Sequence, residues 1–205
     1  MDRFLKRVLD ILAAAGLLVL FAPLLGGVAL AVARQKDGPV LFCQTRPGKD
    51  EKPFVCRKFR SMRAPAFEGE PDMPRITKLG RFLRRYSLDE LPQLWNIFVG
   101  EMSFVGPRPL LPEYLPCYTR EQARRHSVRP GLTGWAQANG RNALEWNDRL
   151  AMDVWYVEHR TLVLDMKIFA MTLRQIVTGE GLNRSNAMTA ENFSEYVKQR
   201  EVRKP

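Results

Sequence analysis

The sequence predicts an α+β protein: an N-terminal apolar helical segment that enters a membrane, a small β-hairpin, and amphipathic helices suited to a membrane interface. Three observations carry this. No charged residue occurs from Ile11 to Ala33, a run longer than the roughly 20 residues with which a helix crosses a hydrocarbon core. Two short β-rich runs flank a Pro-Gly turn just beyond it, and the basic segments that follow have helical spacing of their apolar residues.

Composition sets the outer limits. The 205 residues include 32 Lys+Arg against 22 Asp+Glu, a formal net charge of +10, and 45% are hydrophobic. That excludes a wholly disordered chain, a collagen and a coiled coil. The basic surplus calls for an anionic partner, whether nucleic acid, a phospholipid surface or a phosphorylated small molecule. Cys43, Cys56 and Cys117 are odd in number and lack C-x-x-C spacing, so neither a disulfide framework nor a zinc site is expected. His126 and His159 lie far apart, outside any metal-binding pattern, and read as surface or packing residues.

In the apolar segment Pro23 falls near the middle, where a missing N–H and a bulky ring bend a helix. Arg3, Lys6 and Arg7 precede the run and Arg34 and Lys36 follow it, so the charge flanks set no direction across a bilayer. A re-entrant helix that breaks at Ala22-Pro23 and returns to the same face explains the symmetric flanks. The residues alone support it and a spanning helix equally. A cleaved signal peptide would use Arg3, Lys6 and Arg7 as its basic start and Ala29-Leu30-Ala31 as its cleavage site, but the apolar run is too long for it.

Beyond Asp37-Gly38-Pro39, Val40 to Gln44 and Phe54 to Phe59 are expected to pair as a hairpin around Pro47-Gly48-Lys49-Asp50. Ala64 to Pro74 reads as a polar connecting loop. From Ile76 to Tyr86 a basic amphipathic helix is expected, with Leu79, Phe82 and Leu83 on one side. Leu91 to Val99 is too apolar for a freely solvated helix, and suits either the core or a membrane interface. Asp165 to Val177 is a further helix, with Ile168, Phe169, Met171, Thr172 and Ile176 near one side.

The chemistry concentrates near Ser87-Leu88-Asp89-Glu90-Leu91-Pro92. Ser87 with Glu90 matches a capping box, Pro92 favours a start slightly later, and in both registers Asp89 sits at a helix N-terminus, where the dipole favours the ionised carboxylate. Such a group can be a nucleophile or a Mg²⁺ ligand, although an Asp-Glu pair at a helix start is ordinarily just a cap. Arg84 and Arg85 precede it. Gly106-Pro107-Arg108-Pro109 follows, holding one guanidinium between two prolines in a form suited to bidentate phosphate binding. Arg129 to Gly134 and Asn139 to Asn142 read as glycine turns whose amides could approach an anion.

Read in order, KFRSM (58–62), SLDELPQLWN (87–96), MSFVGPRPLLPEY (102–114) and VRPGLTGWAQANGR (128–141), behind FLKRVLDI (4–11) and the apolar run, resemble the bacterial sugar transferases, the monotopic polyprenol-phosphate phosphoglycosyl transferases. The resemblance covers nearly the whole chain and is similar in length to the smallest members, such as the one that transfers phospho-diacetylbacillosamine at the start of N-linked glycan assembly. It implies a re-entrant membrane helix over residues 1–37 and a catalytic domain over residues 38–205 on the cytoplasmic face of the bacterial inner membrane. It also implies transfer of a sugar phosphate from a UDP-sugar to polyprenol phosphate with release of UMP. Asp89 would be the nucleophile, Glu90 its partner in proton transfer or metal binding, and Mg²⁺ would sit near Asp89. Arg108 matches the phosphate-binding arginine, and Lys58, Arg84 and Arg141 fall on basic motif positions. A UDP N-acetylamino sugar is the expected donor, phospholipid the expected surface, and nucleic acid is not an expected partner. Ala22-Pro23 stands where the family commonly has Ser-Pro, so the carbonyls freed at the break lack a nearby hydroxyl. The rival class is a membrane-tethered module that binds anionic lipid or nucleic acid through its arginines and Trp95 and Trp135, without Asp89 or Glu90.

Overall fold

A computed structural model of the chain describes residues 3–67, 70–140, 144–178, 193 and 196–198. It is a mixed helical and sheet structure, as the sequence predicts. Helices α1 (Arg3–Leu20) and α2 (Ala22–Ala33) are bent by 63° at Phe21. Pro23 lies in the first turn of α2, where its absent N–H withholds a bond from the preceding turn and its ring forces the axis aside. The break therefore falls where Ala22-Pro23 predicts it. No single helix among the described residues is long and apolar enough to cross a membrane, although the bent pair passes that test together.

The hairpin forms with β1 (Leu41–Pro47) antiparallel to β2 (Pro53–Phe59), in the register Leu41↔Phe59 to Pro47↔Pro53. Strand β1 runs three residues beyond the expected Gln44, because Thr45 and Arg46 continue the ladder to the turn at Lys49–Glu51. Within the polar loop, α3 (Asp72–Arg75) adds a helical turn, and Glu70 pairs with Arg63.

Helix α4 (Lys78–Arg85) starts at Thr77, whose hydroxyl accepts from the Gly80 amide at 2.8 Å. Leu83 faces the core and Phe82 faces out. Helix α5 (Gln93–Val99) buries Leu94 and Ile97 and exposes Trp95, Phe98 and Val99, so the segment has one side in the core and one exposed apolar side. Helices α6 (Arg120–Ala123), α7 (Trp135–Asn139), α8 (Trp146–His159) and α9 (Leu162–Thr178) complete the chain, α9 extending the expected helix by three residues at its start and one at its end.

The segment read as a glycine turn is instead a strand. β3 (Ser103–Val105) pairs in parallel with β4 (Gly131–Thr133), so these amides serve a sheet rather than an anion. Gly106 donates to the Thr133 carbonyl at 2.9 Å and Gly131 to the Pro107 carbonyl at 3.0 Å.

The apolar N-terminus is part of the core. Ala14 is fully buried against Phe54, Cys56, Leu94, Ile97 and Met102, while Val28 and Val32 of α2 pack on Phe59 and Leu83. Polar ties reinforce this junction. Arg7 donates to the Ile97 and Phe98 carbonyls at 2.6 and 2.8 Å, capping α5, and Lys6 meets Asp165 of α9 at 2.5 Å.

Helix α4 is pressed onto the end of the hairpin so closely that a Cβ at Gly80 would lie 1.8 Å from the Ser61 carbonyl oxygen. Gly80→Ala is therefore expected to destabilise the protein by about 1–3 kcal/mol, the usual cost of overpacking, as a lowered midpoint in denaturant unfolding of the detergent-solubilised chain.

Candidate active site

The site is assembled from three segments distant in sequence. Lys58 comes from β2, Asp89 and Glu90 from a 3-10 turn at Leu88–Glu90, and Arg108 from the loop after β3. Lys58 Nζ donates to Glu90 Oε1 at 2.6 Å and Arg108 Nη2 donates to the same oxygen at 2.9 Å. All four residues line one cavity of about 870 Å³. Arg84 lines it too, and its Nε donates to Ser61 Oγ at 2.9 Å. Four of the predicted basic and acidic positions thus converge with Arg84 on a single space. Arg141 lies outside the described residues.

The turn is not the capping box expected from Ser87 and Glu90. Ser87 is left-handed, at φ 55°, and caps nothing with its side chain, while α5 begins only after Pro92. A non-glycine residue in this region carries strain, and here it swings the chain so that Asp89 points inward, only 8% exposed. The electrostatics differ from expectation as well. The dipole was expected to favour the charged form, but burial, reinforced by the neighbouring Glu90 carboxylate, pushes the Asp89 pKa above its ordinary value. Among the described residues its carboxylate has no hydrogen-bond or ion-pair partner. Glu90 behaves oppositely. Burial works against its charge, but Arg108 and Lys58 together hold it well below the usual carboxylate range.

Two adjacent acids therefore have different jobs. Glu90 is fully engaged by cations, whereas Asp89 is desolvated, unpaired and open to the cavity. No cluster of three His, Cys, Asp or Glu side chains able to cage a metal occurs among the described residues. The free oxygens of Asp89 nevertheless fit Mg²⁺, which commonly takes one or two carboxylates, substrate phosphates and several waters.

The loop that carries Arg108 is gripped on both sides by residues the sequence reading passed over. Asp153 of α8 binds Arg125 Nε and Nη2 at 3.1 and 2.7 Å, both side chains being 2% exposed, and Arg125 Nη2 also donates to the Arg108 carbonyl at 2.7 Å. Upstream, the Tyr156 hydroxyl donates to Asp165 Oδ1 at 2.7 Å and lies 3.1 Å from the Val105 carbonyl. The signal was present in α8: Trp146, Leu150, Asp153 and Val154 lie on one buried stripe, and an acid on such a stripe requires a partner. Glycine completes the grip, since a Cβ on Gly131 would meet the Gly106 amide nitrogen at 2.1 Å. His126, read as surface or packing, is buried beside Arg125, and burial lowers its pKa to about 4. His159 stacks on Trp155.

An unpaired buried carboxylate beside a cation-clamped one, on a cavity lined by arginines, is an arrangement suited to anionic ligands. The chain matches the bacterial sugar transferase family over residues 1–179. It is 49% identical over 194 residues to the uncharacterized sugar transferase EpsL of Bacillus subtilis, covering 93% of this chain and 96% of that one. It is 43% identical to the UDP-glucose:undecaprenyl-phosphate glucose-1-phosphate transferase of Caulobacter vibrioides, over 84% of this chain and 70% of the relative. The protein of that same name from Escherichia coli is 42% identical over 84% of this chain, which spans 40% of its length. The chain belongs to the bacterial sugar transferase family and is an enzyme of that class, which removes the purely binding module.

Removing one partner of the Arg125–Asp153 pair is expected to cost about 3–5 kcal/mol, because it strands a buried charge. Asp153→Ala should show this as a lowered unfolding midpoint. Replacing both by apolar residues (Arg125→Met with Asp153→Leu) should recover most of the stability but not turnover, since the Arg108 carbonyl still lacks its donor.

Proposed function

We propose that this enzyme transfers a sugar phosphate from a UDP-sugar to polyprenol phosphate at a membrane surface, through a covalent intermediate on Asp89. The observation that carries this reading is the Asp89 carboxylate: buried, without a partner among the described residues, and facing a cavity that has both cationic and apolar walls. The names of the relatives from Caulobacter vibrioides and Escherichia coli support the same donor and acceptor classes.

Donor and acceptor are both anions, so an anionic nucleophile needs concentrated positive charge around it. Lys58, Arg84 and Arg108 provide it. Asp89 attacks the phosphorus bearing the sugar, the bond to the nucleoside monophosphate breaks, and UMP leaves; the acceptor phosphate oxygen then attacks the same phosphorus and frees Asp89. A Mg²⁺ ion held by Asp89 and the diphosphate oxygens would neutralise the donor's charge. Glu90, fixed in its ionised form, aligns Lys58 and Arg108 rather than carrying a proton. A UDP N-acetylamino sugar is the proposed donor, resting on the likeness to small family members.

The acceptor is a lipid, and the cavity provides for one. Leu17 and Phe21, just before the helix break, and Phe169, Leu173 and Ile176 of α9 line its apolar side. Leu20, Phe82, Trp95, Phe98 and Val177, on α1, α4, α5 and α9, are exposed apolar side chains that suit a membrane surface. We read residues 1–37 as a re-entrant anchor with the catalytic residues held at headgroup level on the cytoplasmic side of the inner membrane.

Asp89→Asn is expected to abolish UMP release in nanodiscs containing polyprenol phosphate and Mg²⁺, and to raise the melting temperature, because a neutral isostere relieves a charge the fold disfavours. Retained turnover would remove the nucleophile assignment. In the parent, activity should fall with acidification above the ordinary aspartate range, because a carboxyl with a raised pKa takes up its proton sooner as pH drops. Glu90→Gln deletes the neighbouring negative charge, so the acid limb of its residual rate profile should move to lower pH; a shift upward or none would contradict the coupling.

A further inference from the structure

Arg46 and Arg149, which none of the motifs singled out, line the same cavity as Asp89 and Arg108. Arg46 lies at the end of β1, where its Nη2 donates to Gln44 Oε1 at 2.6 Å. Arg149 projects from α8 with its guanidinium 4.5 Å over the Trp146 ring. Both come from rigid elements: β1 is laddered to the strand that supplies Lys58, and α8 is the helix of the buried Asp153.

Their charged surroundings overlap with those of Asp89 at Arg108. The principal charged neighbours of Asp89 are Glu90, Lys58, Arg84 and Arg108. For Arg46 and Arg149 the shared charged neighbour is Arg108, and each guanidinium has its pKa lowered, first by burial. Arg108 is thus the charged group that Asp89 shares with this second pair of cations on the cavity wall. Asp153 is paired with Arg125 and also favours the charge on Arg149, and the acid near Arg46, Glu113, is exposed to solvent. Like charges half-withdrawn from water against one cavity wall are stabilised by an anion bound among them.

The donor carries two phosphoryl groups. One reacts at Asp89 and the other must depart. Resting on the phosphosugar-transfer reading above, we propose that Arg46 and Arg149 form a second phosphate subsite that holds the phosphate of the leaving nucleoside monophosphate. As an Asp89 oxygen bonds to the sugar-bearing phosphorus, the bond from that phosphorus to the bridging oxygen breaks and its electron pair stays on the nucleoside monophosphate. No proton has to move. The new charge develops on the phosphate that Arg46 and Arg149 hold, and fixed cations there stabilise the separating state. Arg108, the charged neighbour common to both sets, contacts the diphosphate as well.

The test uses the full chain in nanodiscs, with UMP binding measured by calorimetry and KM measured separately for donor and for polyprenol phosphate. Arg46→Gln and Arg149→Gln are each expected to weaken UMP binding and raise the donor KM by about tenfold, the loss of one charge-assisted contact, with the acceptor KM unchanged. Should Arg149→Gln unfold through loss of its contact with Trp146, Arg149→Lys is read instead, and a several-fold loss of UMP affinity is expected because the planar fork is gone. Unchanged UMP affinity in folded variants overturns the subsite. A rise in acceptor KM alone also overturns it, assigning the pair to the lipid phosphate. If the parent releases and binds UMP while the variants match it, only the subsite falls; if the parent does neither, the reaction reading falls with it.

Discussion

A single oxygen, Oε1 of Glu90, receives both Lys58 and Arg108. A strand of the hairpin, a 3-10 turn and a proline-bounded loop meet at that atom, and the rest of the architecture keeps the three from drifting apart. Two cations on one carboxylate also leave the adjacent Asp89 with no such partner. The difference between the two acids, one quenched and one left available, arises from which of them the cations reach. A symmetric arrangement, with one cation for each acid, would neutralise Asp89 along with its neighbour.

Holding Arg108 in place occupies a large share of the surrounding structure. The parallel pair β3 and β4 fixes the start of its loop, Gly106 and Gly131 allow the backbones to meet, the Tyr156 hydroxyl lies against the Val105 carbonyl and Arg125 binds the Arg108 carbonyl. The two prolines limit what remains free. A flexible arginine would lose most of its interaction energy to ordering on each substrate encounter; this one is ordered before the substrate arrives.

Local features were legible in the sequence and long-range ones were not. The hairpin, the basic helix at 78–85, the helix break at Pro23 and the candidates Asp89, Glu90 and Arg108 follow from periodicity and turn residues, and Lys58 from the resemblance to the sugar transferases. The capping box at Ser87 failed because spacing says nothing of the left-handed backbone that the tertiary packing imposes. The strand at 131–133 resembled a turn because three residues containing a glycine have no readable alternation, and a parallel partner 28 residues away leaves no local trace. Arg125 and Asp153, also 28 residues apart, have the same cause. The sign of the Asp89 shift depended on burial, which overrode the helix-end effect inferred from the chain.

The first helix has a consequence for how such an enzyme can change over evolutionary time. Ala14 is as deep in the core as Ile97, and Lys6 and Asp10 are tied to Asp165 and to the Phe104 amide. A tether can be exchanged for another tether of similar hydrophobicity, or dispensed with, while the domain it holds carries on. A helix that forms part of the wall of the cavity has no such freedom. Its exposed apolar side is free to vary, but its inner side must co-vary with the hairpin and α5.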